Sequence, residues 1–131
     1  LGNPNGCQRL DHDNVTVFDW IEDADALMAA SDIIIARAGL TVITKAMVYG
    51  KRLIVIPTPL HGEQLGNALR VEELGFGKVV DEDRMDLLQA LDELTAHDSW
   101  ERRAHELAGL ASEMDGVSAV VGLLERLAKV I

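Results

Sequence analysis

The sequence predicts an α/β fold, a Rossmann-like parallel sheet with flanking helices, in one domain over residues 1–131. Three observations carry this. Short apolar runs alternate with helix-length segments in the order strand, helix, strand, helix, strand, helix, strand, then further helices. DIIIA at Asp32–Ala36 and RLIVI at Arg52–Ile56 are dominated by aliphatic residues, the pattern of strands covered on both faces of a parallel sheet. A chain of 131 residues with 48% hydrophobic residues is long and apolar enough for one real core.

The elements follow in order. NVTVFDW at Asn14–Trp20 reads as a strand running into a loop. Asp23–Ala30 is a short helix with Asp23 or Asp25 as its N-cap. After the strand Asp32–Ala36, Thr41–Tyr49 is a helix closed by Gly50. The strand Arg52–Ile56 is stopped by Pro57 and Pro59. Glu63–Leu74 is a helix with Leu65, Ala68, Leu69 and Leu74 inward, ended by Gly75. Gly77–Val80 is a short strand, and Met85–Ala96 a helix with Leu87, Leu88, Leu91 and Leu94 on one face. Helices at Ser99–Met114 and Val117–Val130 meet at Asp115-Gly116, with Trp100 and the leucine stripe of both in the core. Only four strands are evident, and the chain opens at Leu1 on the turn-rich LGNPNG. We therefore expect a piece of a longer protein, truncated at its N-terminus.

Composition excludes several functions. A net charge of −10 argues against nucleic acid and against anionic lipid as partners, although helix-start amides can still hold a phosphate locally. Cys7 is the only cysteine, which leaves no internal disulfide or cysteine-cluster metal site and fits a reducing cytoplasm. No apolar run reaches the roughly 18 residues of a membrane span. His12, His61, His97 and His105 show no metal-ligand spacing, and His97 and His105 read as solvated. Asp81–Asp83 reads as a helix-capping run rather than a catalytic pair, and no G-x-S-x-G or Walker motif is present.

Two loops carry chemistry. Each leaves a buried strand and opens a helix, so in a parallel sheet both lie at the carboxyl end, where ligands of this architecture bind. The first is Arg37-Ala38-Gly39-Leu40-Thr41. Gly39 can turn tightly and admit a ligand to the backbone, and the amides of Leu40, Thr41 and Val42 are anion donors at a helix start. Thr41 and Thr44 add hydroxyls. The same residues also read as an ordinary turn with Thr41 as cap. The second loop gathers His61, Glu63, Gln64 and Asn67, and imidazole, carboxylate and amide together suit the hydroxyls of a sugar. It also reads as a solvated loop with Glu63 supporting the first turn. Trp20, expected in a loop at the same sheet end, is a candidate wall for a base or a packing residue.

From Asn14 to Val80 the chain resembles the C-terminal, donor-binding domain of GT-B glycosyltransferases of the family 28 type. That type includes the bacterial N-acetylglucosaminyltransferase that makes lipid II and its archaeal relatives. The resemblance rests on RAG after a strand, the glycine after the next helix, IPTP, and EQxxNA. It implies a nucleotide-diphosphosugar donor, usually a UDP-sugar, with Trp20 and Ile21 near the base and Gly39, Leu40 and Thr41 near the diphosphate. It places Glu63 and Gln64 at the sugar hydroxyls and Asn67 as the holder of that loop; Arg37 and His61 belong to the same two loops. The family's ribose-binding Glu is here Lys45, an ammonium that cannot accept those hydrogen bonds but could reach a phosphate, and Arg52 stands where a Pro is common.

The reading is thus the partial nucleotide-sugar-binding domain of a glycosyltransferase that moves a sugar, such as N-acetylglucosamine, to a hydroxyl acceptor. No cofactor is expected. The acceptor-binding N-terminal domain, or a partner chain in its place, would supply the catalytic base and any peripheral membrane contact. A nucleotide-sugar epimerase or hydrolase of the same fold is the first alternative. A non-catalytic, partner-binding subunit is the second.

Overall fold

The computed structural model describes residues 6, 9–83 and 86–129. Cys7, most of the opening turn and the expected helix ends at Met85 and Val130 lie outside them. The elements are β1 (Arg9–His12), β2 (Val15–Phe18), α1 (Ala24–Ala30), β3 (Ile33–Ala36), α2 (Leu40–Val48), β4 (Arg52–Val55), α3 (Gly62–Leu74), β5 (Gly77–Val79), α4 (Leu87–Ala96), α5 (Ser99–Ser112) and α6 (Gly116–Ala128).

β3, β4 and β5 form a parallel sheet in that order, with Ile33 opposite Arg52 and Leu53 opposite Gly77. Alternation along β4 divides the core. Leu53 and Val55 enter a cluster with Ala38, Ile43 and Ala46 of the β3–α2 segment, Ala68 and Val71 of α3, and Ala104 and Leu107 of α5. Ile54 points the other way, to Val80, Ala90 and Leu94, with Trp100 against them. Helices therefore cover both faces of β4, whose three central residues are fully buried, as its unbroken aliphatic run predicts.

Helix boundaries have local causes. Asp23 caps α1 through Ala26 N–H, and Asp115 caps α6 through Ser118 N–H, each at a position where the carboxylate takes an orphan amide. After α2, Gly50 at φ +65° lets its own N–H reach the Met47 carbonyl while Lys51 N–H reaches Ala46, the paired closure that requires a left-handed residue. Arg52 donates from Nη1 to the Leu94 carbonyl at the end of α4. This side chain thus ties β4 to α4.

Several expectations need correction. The strand expected at Asn14–Trp20 forms as β2, but it pairs antiparallel with β1 in a separate hairpin and adds nothing to the parallel sheet. β3 was expected to be buried on both faces. Among the described residues it is a sheet edge, and Ile35 is 44% exposed. In α3 the inward positions are Ala68 and Val71, not Leu65 and Leu69, because close approach to the sheet selects the small and β-branched side. Leu88 of α4 is exposed, one turn-face away from buried Ala90 and Leu94. The leucines of α6 are exposed as well, and no residue of that helix is buried. Across 99–128 an 18-residue window with mean hydropathy 1.4 is apolar enough to cross a membrane, but the Asp115 cap divides that stretch into α5 and α6.

Candidate functional site

Both chemistry-bearing loops lie at the carboxyl ends of adjacent parallel strands, β3 and β4. One hydrogen bond ties them: Asn67 Nδ2, half-buried on α3, donates to the Ala38 carbonyl at 3.1 Å. Ala38 is fully buried, so this bond satisfies an oxygen that water does not reach. The first loop is thus tied to α3, the helix that the second loop opens, by the Asn67 side chain.

In the first loop Gly39 is the N-cap of α2 at φ −77°, ψ 138°, ordinary extended backbone. Its N–H donates to the Arg37 carbonyl at 2.8 Å, so the foreseen tight turn is made just before the helix without a conformation reserved for glycine. What the missing Cβ leaves is space, since nothing lies within 4 Å of where one would stand. Among the described residues no side chain caps α2, which leaves the first-turn amides at Leu40 and Thr41 without a side-chain acceptor there at the helix's positive end. Thr41 is exposed in that turn and is not the cap. Thr44 Oγ1 donates back to the Leu40 carbonyl at 2.9 Å, which engages the hydroxyl that sequence reading assigned to ligand.

Arg37 is already partnered. Its guanidinium makes a two-pronged pair with Glu82 at 2.9 and 2.8 Å and also reaches the Ile56 carbonyl at 3.3 Å. It spans the ends of all three parallel strands. The hydrogen-bonded guanidinium holds the Glu82 carboxyl below its ordinary range, and Glu82 raises Arg37 in turn. Segment 81–83 is therefore not a capping run: Glu82 meets Arg37, and Asp81 Oδ1 accepts from Asp83 N–H.

In the second loop His61 is the N-cap of α3, its Nδ1 accepting from Gln64 N–H at 3.4 Å. Gln64 Oε1 accepts from Thr58 N–H at 2.9 Å, so its carbonyl side holds the loop and its amide NH2 remains to donate. Glu63 is exposed in the first turn of α3. Leu60, just before His61, sits at φ +61° with its side chain fully exposed. For a leucine the left-handed region costs roughly 1–2 kcal/mol.

Lys45, half-buried on α2, pairs with Asp25 of α1, Nζ to Oδ1 at 2.5 Å, and that hydrogen bond raises the lysine's pKa. Trp20 is 50% exposed and Ile21 is exposed too, in the segment between β2 and α1. Because β2 lies outside the parallel sheet, the sheet-end position expected for Trp20 does not follow from the topology. The structure thus ties Asn67 to the loop that carries Gly39, Leu40 and Thr41, keeps Gln64 on its own loop through Thr58, and commits Arg37 and Lys45 to carboxylates. Sequence reading missed Asp25, Thr58 and Glu82 as their partners. No spacing announces contacts made across 20 and 45 positions.

A family model described as the glycosyltransferase family 28 C-terminal domain matches residues 3–116. An uncharacterized glycosyltransferase of Methanosarcina mazei is 30% identical over 115 residues, covering 86% of this chain and 30% of the relative. A UDP-N-acetylglucosamine--N-acetylmuramyl-(pentapeptide) pyrophosphoryl-undecaprenol N-acetylglucosamine transferase of Lactobacillus acidophilus is 23% identical, covering 89% of this chain and 33% of the relative. The chain thus spans about a third of the length of these curated relatives. Among solved structures, the glycosyltransferase VinC in complex with DTDP aligns with a TM-score of 0.75 and 26% identity over 90% of this chain and 30% of that one. The spinosyn forosaminyltransferase SpnP aligns with a TM-score of 0.68 and 22% identity, covering 79% and 27%.

Proposed function

The chain belongs to the glycosyltransferase family 28 C-terminal domain family, and on that footing we propose that it binds a nucleoside-diphosphate sugar for transfer to a hydroxyl acceptor. The donor class proposed is a UDP-sugar, such as UDP-N-acetylglucosamine. The diphosphate lies across the start of α2, over the space left by Gly39 and against the amides of Leu40 and Thr41. The sugar lies toward α3, where the Gln64 amide donates and Glu63 accepts. The nucleoside then extends toward α1, with Trp20 and Ile21 as the segment near the base. The observation that carries this reading is the Asn67–Ala38 bond, which sets an uncapped helix start beside a polar, sugar-suited one. The likeness to a DTDP-bound glycosyltransferase supports the nucleoside-diphosphate class. The acceptor and the catalytic base belong to the rest of the protein or to a partner chain.

Calorimetric titration of UDP, dTDP and UDP-N-acetylglucosamine tests the proposal. Gln64→Glu keeps an oxygen for Thr58 N–H but loses the donating NH2, so the advantage of UDP-sugar over UDP should fall by about 0.5–1.5 kcal/mol. Binding of none of the three ligands overturns it. The partner-binding reading would then be preferred, and the commitment of Lys45 to Asp25 favours it.

A further inference from the structure

The β4–α3 loop has a second face, turned away from α2. There a cavity of about 540 Å3 opens between this loop and the segment that follows β5. Pro57, Pro59, Leu65 and Val79 give it apolar lining, and the carboxylates of 81–83 complete it. Small-molecule sites are concavities of roughly this kind, about 300–1,000 Å3, mostly apolar with a few placed polar groups.

Leu60 makes the wall unusual. It lines the cavity in the left-handed conformation, and its side chain is 107% exposed, so among the described residues no packing repays the strain. The surroundings impose it: prolines stand at 57 and 59, Thr58 N–H is held by Gln64, and His61 N–H is held by the Thr58 carbonyl. An apolar side chain is thus kept in water on the lip of an apolar cavity.

The charge of the mouth is also set. Glu82 is engaged by Arg37, while Asp81 and Asp83, which also line the cavity, add two further carboxylates. A cation is favoured there and an anion is not. We propose that this cavity is a second ligand site, for a compact apolar molecule carrying a protonated amine. Leu60 packs on the apolar body, and Asp81 and Asp83 face the ammonium. His61 and Gly62 line the cavity and belong to the donor-site loop as well, whereas no residue of α2 is among its lining, so the two sites share one loop and differ in their other walls.

Three probes with one apolar body test it: 1-adamantanamine, 1-adamantanol and 1-adamantanecarboxylate, cationic, neutral and anionic at neutral pH. Each is titrated into the 131-residue chain while backbone amide shifts are followed. The amine should move the amides of 57–65 and 79–83 and bind about ten-fold more tightly than the carboxylate, with the alcohol between them. Leu60→Gly, which adopts the left-handed backbone freely, should keep the fold and weaken all three probes together. Asp81→Asn with Asp83→Asn should abolish the preference for the amine and leave the alcohol unchanged. Equal binding of the three, shifts confined to α6, or unaltered affinity in Leu60→Gly would overturn the proposal. UDP titrated in the same samples reports the donor site separately, so the two readings fail independently.

Discussion

Arg37 shows what a charged residue just past a strand can do besides meet a ligand. Its guanidinium links the ends of three strands through Glu82 and the Ile56 carbonyl. Glu82 titrates below its ordinary range because the charged partner favours its ionised form. The linkage sign follows: the pair stabilises the fold above the ordinary glutamate range and loses that contribution as pH falls through the lowered value. Arg37→Met should therefore return the Glu82 titration, followed by carboxyl NMR, to the ordinary range; an unchanged titration would refute the pairing. Asn67 is the more consequential residue. Asn67→Ala strands the buried Ala38 carbonyl, and urea unfolding should show a loss of about 1–3 kcal/mol. At this scale the sequence was legible where a residue type has one use, as with the Asp23 cap or Gly50 and Gly75 at positive φ. It was not legible for Arg37, Thr44 or Lys45, whose partners are fixed by how the layers stack.

Among elements, β4 carries the most information, because alternate residues serve the two core clusters. Its neighbour β5 comes so close at Gly77 that an added Cβ would stand 2.2 Å from the Leu53 carbonyl oxygen and 2.6 Å from Val71 Cγ1. Gly77→Ala must push the strand or α3 away and should cost about 1–3 kcal/mol in a denaturant titration. α6 predicts the reverse. Val120 and Leu124 are exposed, so Val120→Ser or Leu124→Gln should shift the stability of this chain by no more than about 0.5 kcal/mol. A larger loss would show that α6 is packed in solution. The periodicity that assigned α6 as a helix was sound, and the burial inferred from it was not. An apolar stripe states that a face seeks cover without naming the cover. The same limit explains the hairpin: Val15, Thr16, Val17 and Phe18 announce a strand, but not that Arg9–His12 would take it out of the sheet.

At the scale of the molecule, the α/β class and the shared end of the two loops were legible because the strand-helix alternation leaves a parallel sheet little choice. The extent of the sheet was not, because strand count along the chain does not fix which strands pair. β3 is left as an edge among the described residues, with Ile35 partly exposed beside unpaired backbone, an arrangement that invites pairing between chains. Sedimentation of this chain should show association that rises with concentration and is suppressed by Ile35→Lys. A monomer at all concentrations would count against the open edge. The order β3-β4-β5 has one more consequence, for how the protein comes into being. Each strand pairs with the one just before it in the sheet, with a single helix between, so pairing never waits for a distant segment. A chain emerging from the ribosome can close β3 on β4 around α2 before α3 and β5 have been synthesised. Assembly then follows the direction of translation, and the buried contacts of α5 with α2 come last, as the step that locks the finished sheet.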